Sequence, residues 1–183
     1  MDRGPSDTVM GMKTLLRRPV VRVSLAVVAV LFVAALWLFQ PWKLFVNVEV
    51  NEAAPTVSAP SAPPTEPVVL ARGQLISHEH ESSGSVVVLR LADGSRVLRL
   101  ENLKTSNGPD LHVWITDAPV IEGTDGWKVF DDGKYVDLGA LKGNIGSSNY
   151  SIPADVDLSR LSSVSVWCVR FSVSFGAAEL KAA

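Results

Sequence analysis

Apolar residues are spread unevenly along this chain. One block, VVRVSLAVVAVLFVAALWLF from Val20 to Phe39, is apolar except for Arg22 and Ser24. A helix needs about 20 such residues to cross about 30 Å of hydrocarbon, so the block predicts one transmembrane helix over 20–39. Arg22 stands one turn inside its start, where a long side chain can snorkel to the headgroups. Trp37 and Trp42 stand at the other end, where amphipathic rings favour the interface. The rival reading is a cleaved signal peptide, with an apolar core of about 7–15 residues and a small-x-small site close behind. The run here is longer, and Gln40-Pro41-Trp42-Lys43 offers no such site. An uncleaved anchor is expected.

After the helix, KLFVNVEV reads either as a brief strand or as an amphipathic connection. NEAAPTVSAPSAPPTEP then sets Pro55, Pro60, Pro63, Pro64 and Pro67 among Ala, Ser and Thr. Proline biases such a segment toward an extended, semi-rigid form, so residues 40–67 are expected to be a stalk. From Val68 to the end the pattern changes to short alternating runs separated by turn signals. ARGQLI, SVVVLRL, RVLRLENL, LHVWIT, GWKVF and KYVDLG read as strands, and Val164 to Phe175 as a last long one. Asp93-Gly94 is expected to close a hairpin through a type I′ turn. Strands at roughly 8–12-residue spacing predict an all-β domain over 68–183, an antiparallel β-sandwich or a jelly-roll-like barrel.

Charge sets the orientation of the chain. Arg3, Lys13, Arg17 and Arg18 precede the span and only Lys43 follows it closely. The positive-inside rule therefore puts tail 1–19 in the cytoplasm and the β domain outside a cell membrane crossed once. The net charge is only −2, with no basic patch interleaved with aromatics, so nucleic acid is not an expected partner. No G-x-S-x-G elbow is present, which leaves a hydrolase without support. No independent catalytic turnover is expected.

The chemistry centres on Cys168, the single cysteine. An odd cysteine outside the cytoplasm invites a reactive or intermolecular role, while a free cysteine also packs well as a small hydrophobe. With a period of two, Trp167, Val169, Phe171, Val173 and Phe175 would share the core face of the last strand. Val164, Val166, Cys168 and Arg170 would share the other. Arg170 would then stand beside the sulfur, and a nearby cation favours the thiolate. For a group such as haem, which the family resemblance given below implies as one option, Met1, Met10 and Met12 all precede the span, and no C-x-x-C-H is present. The candidates left are Cys168, His78, His80 and His112. His112 alternates with Leu111, Val113 and Ile115, so it points away from their core and shares its face with Trp114. His78 and His80, two apart in SHEHE, form a weak metal signal that needs a third ligand.

LRLENLKTSNGPDLHVWITDAP and YVDLGALKGNIGSSNYSIPADVDLSRLSSVSVWCVRFSVSFGAAEL, taken together, resemble the DM-thirteen family. This is the electron-transfer-type domain of Skeletor-like animal proteins and of many bacterial exported proteins. The resemblance runs from Gly73 to Leu180 and leaves out the anchor and the stalk. It implies an all-β domain whose cysteine in the VSVWC strand, here Cys168, is redox-active as a bare thiol or as a ligand of a group such as haem. It further implies roles for a histidine ahead of a turn, His80 in HESSG, and for Asp110 in NGPDL. Two functions stand side by side. In one, Cys168 passes electrons to a redox partner protein at the cell surface. In the other, the domain is a binding or adhesion module and Cys168 is structural.

Overall fold

The computed structural model describes residues 19–56 and 66–183. The chain divides into two units, Met1–Pro41 and Trp42–Ala183. In the first, helix α1 (Pro19–Phe39) has 21 residues and buries none of them. At 1.5 Å per residue it is about 31 Å long, so it is long and apolar enough to cross a membrane. The cations Arg3, Lys13, Arg17 and Arg18 lie outside the described residues.

The second unit is built from strands β1 (Glu49–Asn51), β2 (Val68–Gln74), β3 (Ile76–Ser77), β4 (Ser83–Arg90), β5 (Arg96–Lys104), β6 (Leu111–Thr116), β7 (Tyr135–Ala140), β8 (Ile145–Ile152), β9 (Ser163–Cys168), β10 (Val173–Glu179) and β11 (Lys181–Ala182). They form a six-stranded sheet in the order β1-β8-β5-β4-β2-β11 and a five-stranded sheet in the order β3-β10-β9-β6-β7. Alternation decides which side chains meet. Val86 pairs with Leu100 and Val88 with Leu98 across β4 and β5. These four join Leu111, Val113, Ile115, Val164, Val166 and Cys168 of the other sheet in one buried cluster. A smaller cluster of Trp114, Ala118, Phe130, Trp167 and Ala177 lies on the opposite face of the five-stranded sheet.

The domain is all-β and follows one long apolar helix, as expected, but it is not purely antiparallel. Strand β1 runs parallel to β8. It also lies inside the segment expected to be a stalk, and it is held there by a built clasp. Val48 N–H donates to Asn144 Oδ1 at 2.7 Å, and Asn149 N–H donates to the Glu52 carboxylate at 2.6 Å. The Arg99 guanidinium donates to the carbonyls of Glu52 and Ala53. Gly143 and Gly146 leave room for the incoming chain, since a Cβ on either would strike the backbone of Val48 or Val50, and Gly146 needs its φ of +104°. Residues 42–56 therefore belong to the domain. Pro60, Pro63 and Pro64 fall among residues 57–65, outside the described ones.

Three further expectations change. The long last strand is a hairpin: β9 ends at Cys168, residues 169–172 turn with Ser172 at φ +47°, and β10 returns. GWKVF is not a strand; it belongs to the 117–134 connection that carries Phe130 and Ala118 onto the five-stranded sheet. The turn at Asp93-Gly94 is not type I′, because Gly94 alone takes a positive φ and type I′ needs two such residues.

Candidate functional site

The hairpin overturns the face assigned to Cys168. Leu111 pairs with Cys168, and Val113 with Val166, so the sulfur shares the inner face with the residues that meet the other sheet. Cys168 is 0% exposed. Burial pushes its thiol up from the ordinary range, because a thiolate there would lose its hydration. The charge of Asp110 adds to the rise, while backbone hydrogen bonds from Phe171, Arg170 and Asp110 oppose it. Arg170 stands in the turn after β9 and bears on the thiol through its backbone. The expected Arg170-assisted thiolate is not what this arrangement favours.

The NGPDL loop closes over this end of the strand. Val169 N–H donates to the Asp110 carbonyl at 3.0 Å, and Leu111 packs in the cluster that holds Cys168. Gly108 lies so close to the Phe175 ring and to Leu111 that a Cβ would stand 3.0 and 3.1 Å from them. Beyond the loop lies an open cleft of about 400 Å³, walled by Asp110, Asn107, Lys43, Leu141 and Asn144 among others.

The three histidines go separate ways. His80 lies against Phe175, ring centroids 4.0 Å apart, and its Nε2 is 3.7 Å from the Glu79 carboxylate. His78 is buried, with Nδ1 2.8 Å from Ser174 Oγ and Nε2 3.1 Å from the Ile121 carbonyl. A carbonyl only accepts, so Nε2 carries the proton and Nδ1 accepts from Ser174. Burial holds the His78 pKa below its ordinary value. Ser174 and Phe175 are neighbours with side chains on opposite faces of the sheet, so the two histidines diverge and do not make a metal pair. His112 pairs with Trp167 rather than Cys168, which puts ring and sulfur on opposite faces. Its Nδ1 is 2.7 Å from Asp137 Oδ2 and its Nε2 is 3.5 Å from Asp110 Oδ1.

A haem held by Cys168 with His80 or His112 needs two donors facing one space. These donors do not, and Cys168 is packed on every side. The residues present do not form that pair of ligands. Among the described residues no group of three or more His, Cys, Asp or Glu side chains stands together to hold a metal ion.

The outer face of the five-stranded sheet holds what sequence reasoning missed. Tyr135, Trp114 and Trp167 come from the adjacent strands β7, β6 and β9 and stack in a row. The first pair of centroids is 3.9 Å apart at 2° and the second 5.2 Å apart at 28°. Phe130 meets Trp167 edge-on at 6.1 Å. The Nε1 of Trp114 is buried without a hydrogen-bond partner. Alternation alone set Trp114 beside His112 and Trp167 opposite Cys168. What it does not contain is the strand order that brings β7, β6 and β9 side by side.

These features define a β domain with a sealed thiol at one strand end, a motif loop over it and an aromatic row behind it. Residues 74–180 match the family described as Electron transfer DM13. That is more than half of the chain, and the chain belongs to this family. No curated protein and no solved structure matches the chain significantly.

Proposed function

We propose that this protein is a membrane-anchored electron-transfer domain, its N-terminus cytoplasmic and its β domain outside, in which Cys168 works as a buried redox thiol. The two sheets are read as an antiparallel sandwich to which β1 is added in parallel. The observation that carries the reading is the placement of Cys168. The only thiol of a chain in an electron-transfer family lies sealed in the core, directly beneath Asp110 and Leu111, which also wall the cleft. A sealed sulfur can exchange electrons with a partner while escaping the disulfide chemistry that an exposed thiol meets outside a cell. Reactions that need a thiolate in contact with another molecule are disfavoured by the same burial. A redox partner protein at the cell surface would accept the electron.

The test uses the full-length chain in detergent micelles. A maleimide is expected to label Cys168 only after unfolding. Oxidation by a one-electron oxidant is expected to consume one equivalent at the thiol in the native protein, and to lose that equivalent in Cys168→Ala with the fold kept. An unchanged oxidation in Cys168→Ala would make the sulfur core packing. The cleft, with Asp110 and Lys43 on its walls, favours the second reading in that event: a binding module without turnover.

A further inference from the structure

The aromatic row on the outer face has no part in the site as read from the family motif. Three rings in face-to-face order link a surface side chain to the strand that carries Cys168. Tyr135 is 45% exposed, Trp114 5% and Trp167 1%. The outer end opens on a shallow cleft of about 440 Å³ with Lys134, Asp155, Asp157 and Arg160 around Tyr135. The inner end is one peptide bond from the thiol. Trp114 buries its indole N–H with no acceptor, as Trp127 does outside the row. A buried donor left unpaired costs stability and calls for a reason.

We propose that Tyr135, Trp114 and Trp167 form a relay through which single electrons leave the domain. This rests on the electron-transfer reading above. A one-electron oxidant seated at Tyr135 takes one electron from Trp114 through the phenol ring that lies flat on it. Trp114 becomes a radical cation. An indole radical cation is an acid, but here its N–H has no acceptor, so the proton stays and the step reverses without proton movement. An electron from Trp167 then restores Trp114 and leaves the cation on Trp167. Under the reading of Cys168 as the donor, the thiol S–H bond breaks last. Its electron goes to Trp167, its proton goes to water at the cleft that Asp110 and Leu111 wall above this strand end, and a thiyl radical remains.

The experiment is flash oxidation of the full-length protein in micelles by photogenerated ruthenium(III) tris-bipyridine. All proteins carry Trp37→Phe, Trp42→Phe and Trp127→Phe, since the first two are exposed and the third is a part-buried indole outside the row whose N–H also lacks a partner. Transient absorption separates the indole radical cation from the neutral radical. The expected result is a radical cation in the reference protein. That signal should be lost in Trp114→Phe, which keeps an aromatic ring, and slowed in Tyr135→Leu, which removes the phenol stacked on Trp114. Cys168→Ala should leave the formation rate unchanged and lengthen the radical's life. An undiminished cation signal in both Trp114→Phe and Tyr135→Leu, or a neutral radical in the reference protein, overturns the relay. A normal relay whose lifetime ignores Cys168→Ala overturns instead the role of the thiol.

Discussion

The two faces of the five-stranded sheet are both buried, yet they are buried by different things. The inner face meets a second sheet through aliphatic side chains, Phe175 and one thiol. The outer face is covered by the 117–134 connection, which lays Phe130 and Ala118 on Trp114 and Trp167. It also carries a polar chain. Ser165 Oγ is 2.9 Å from Ser174 Oγ, Ser174 meets His78, and His78 reaches the Ile121 carbonyl of the cover. Ser163 Oγ donates to the carbonyl of Ala118 at 2.7 Å and so pins the start of the same connection. The inner face is an apolar sheet-on-sheet contact, expected to open only when the domain unfolds. The outer face is closed by a loop that can lift locally, and it holds the groups that titrate or stack. Within one strand, Cys168 and Trp167 answer to these two regimes.

The largest effect is expected on the inner side. Ile115 is fully buried there, and Ile115→Ala should cost about 2–5 kcal/mol, the range for a core Ile→Ala. Denaturant unfolding followed by fluorescence and by circular dichroism should show one shifted transition, since no part of the inner face can open alone. Phe130→Ala comes next. A fully buried Phe→Ala costs about 3–5 kcal/mol when the whole cavity is felt globally, but Phe130 sits on a cover that can detach. The global loss should therefore fall below that range. Hydrogen exchange should speed up first at the amides of 117–134. Equal losses of protection throughout the domain would erase the distinction between the faces.

How much of this was legible beforehand follows the same division. Short apolar-rich runs between turn signals located β2, β4, β5, β6 and β7, although β4 is apolar on both faces, with Val86 and Val88 on one and Val87 and Leu89 on the other. No such run marks β8, whose IGSSNYSI is mostly small and polar. Only Ser148, Tyr150 and Ile152 of that strand are buried, and its place is secured by pairing with β5 and β1 rather than by hydrophobicity. Reading Val164–Phe175 as one strand failed because Val169 and Phe171 keep the apolar rhythm across a turn, where both are exposed. That single error placed Arg170 beside Cys168 and the sulfur on a boundary. Cys168 and Asp110 were singled out by motif, and they do come together at one end of the domain. The stack of Tyr135, Trp114 and Trp167 could not be seen, because it depends on the lateral order of strands whose stacked rings stand 21 and 53 positions apart in the chain.

The smallest effect concerns protons and should belong to the outer face alone. His78 is held neutral: burial lowers its pKa, with the hydrogen bond to the Ile121 carbonyl pulling weakly the other way. A lowered folded-state pKa means that the unfolded chain binds a proton the native state refuses. Stability from this group is thus fully present above the unfolded value of about 6.5 and is lost as pH falls from there toward the folded value. Glu52, Asp93 and Asp157 also have lowered pKa values, but their contribution is lost only as pH falls through the carboxylate range. The contribution of His78 is lost at higher pH than theirs, in the window below about 6.5. Unfolding midpoints measured from pH 7.5 down to pH 5 should decline in the native protein and stay level in His78→Gln. Amide exchange should place the decline in 117–134, because a charged His78 can no longer accept from Ser174 and the two hydrogen bonds that tie the cover to β10 through its ring cannot both persist unchanged. A decline that survives His78→Gln would move the pH sensitivity elsewhere and leave the two faces alike in this respect.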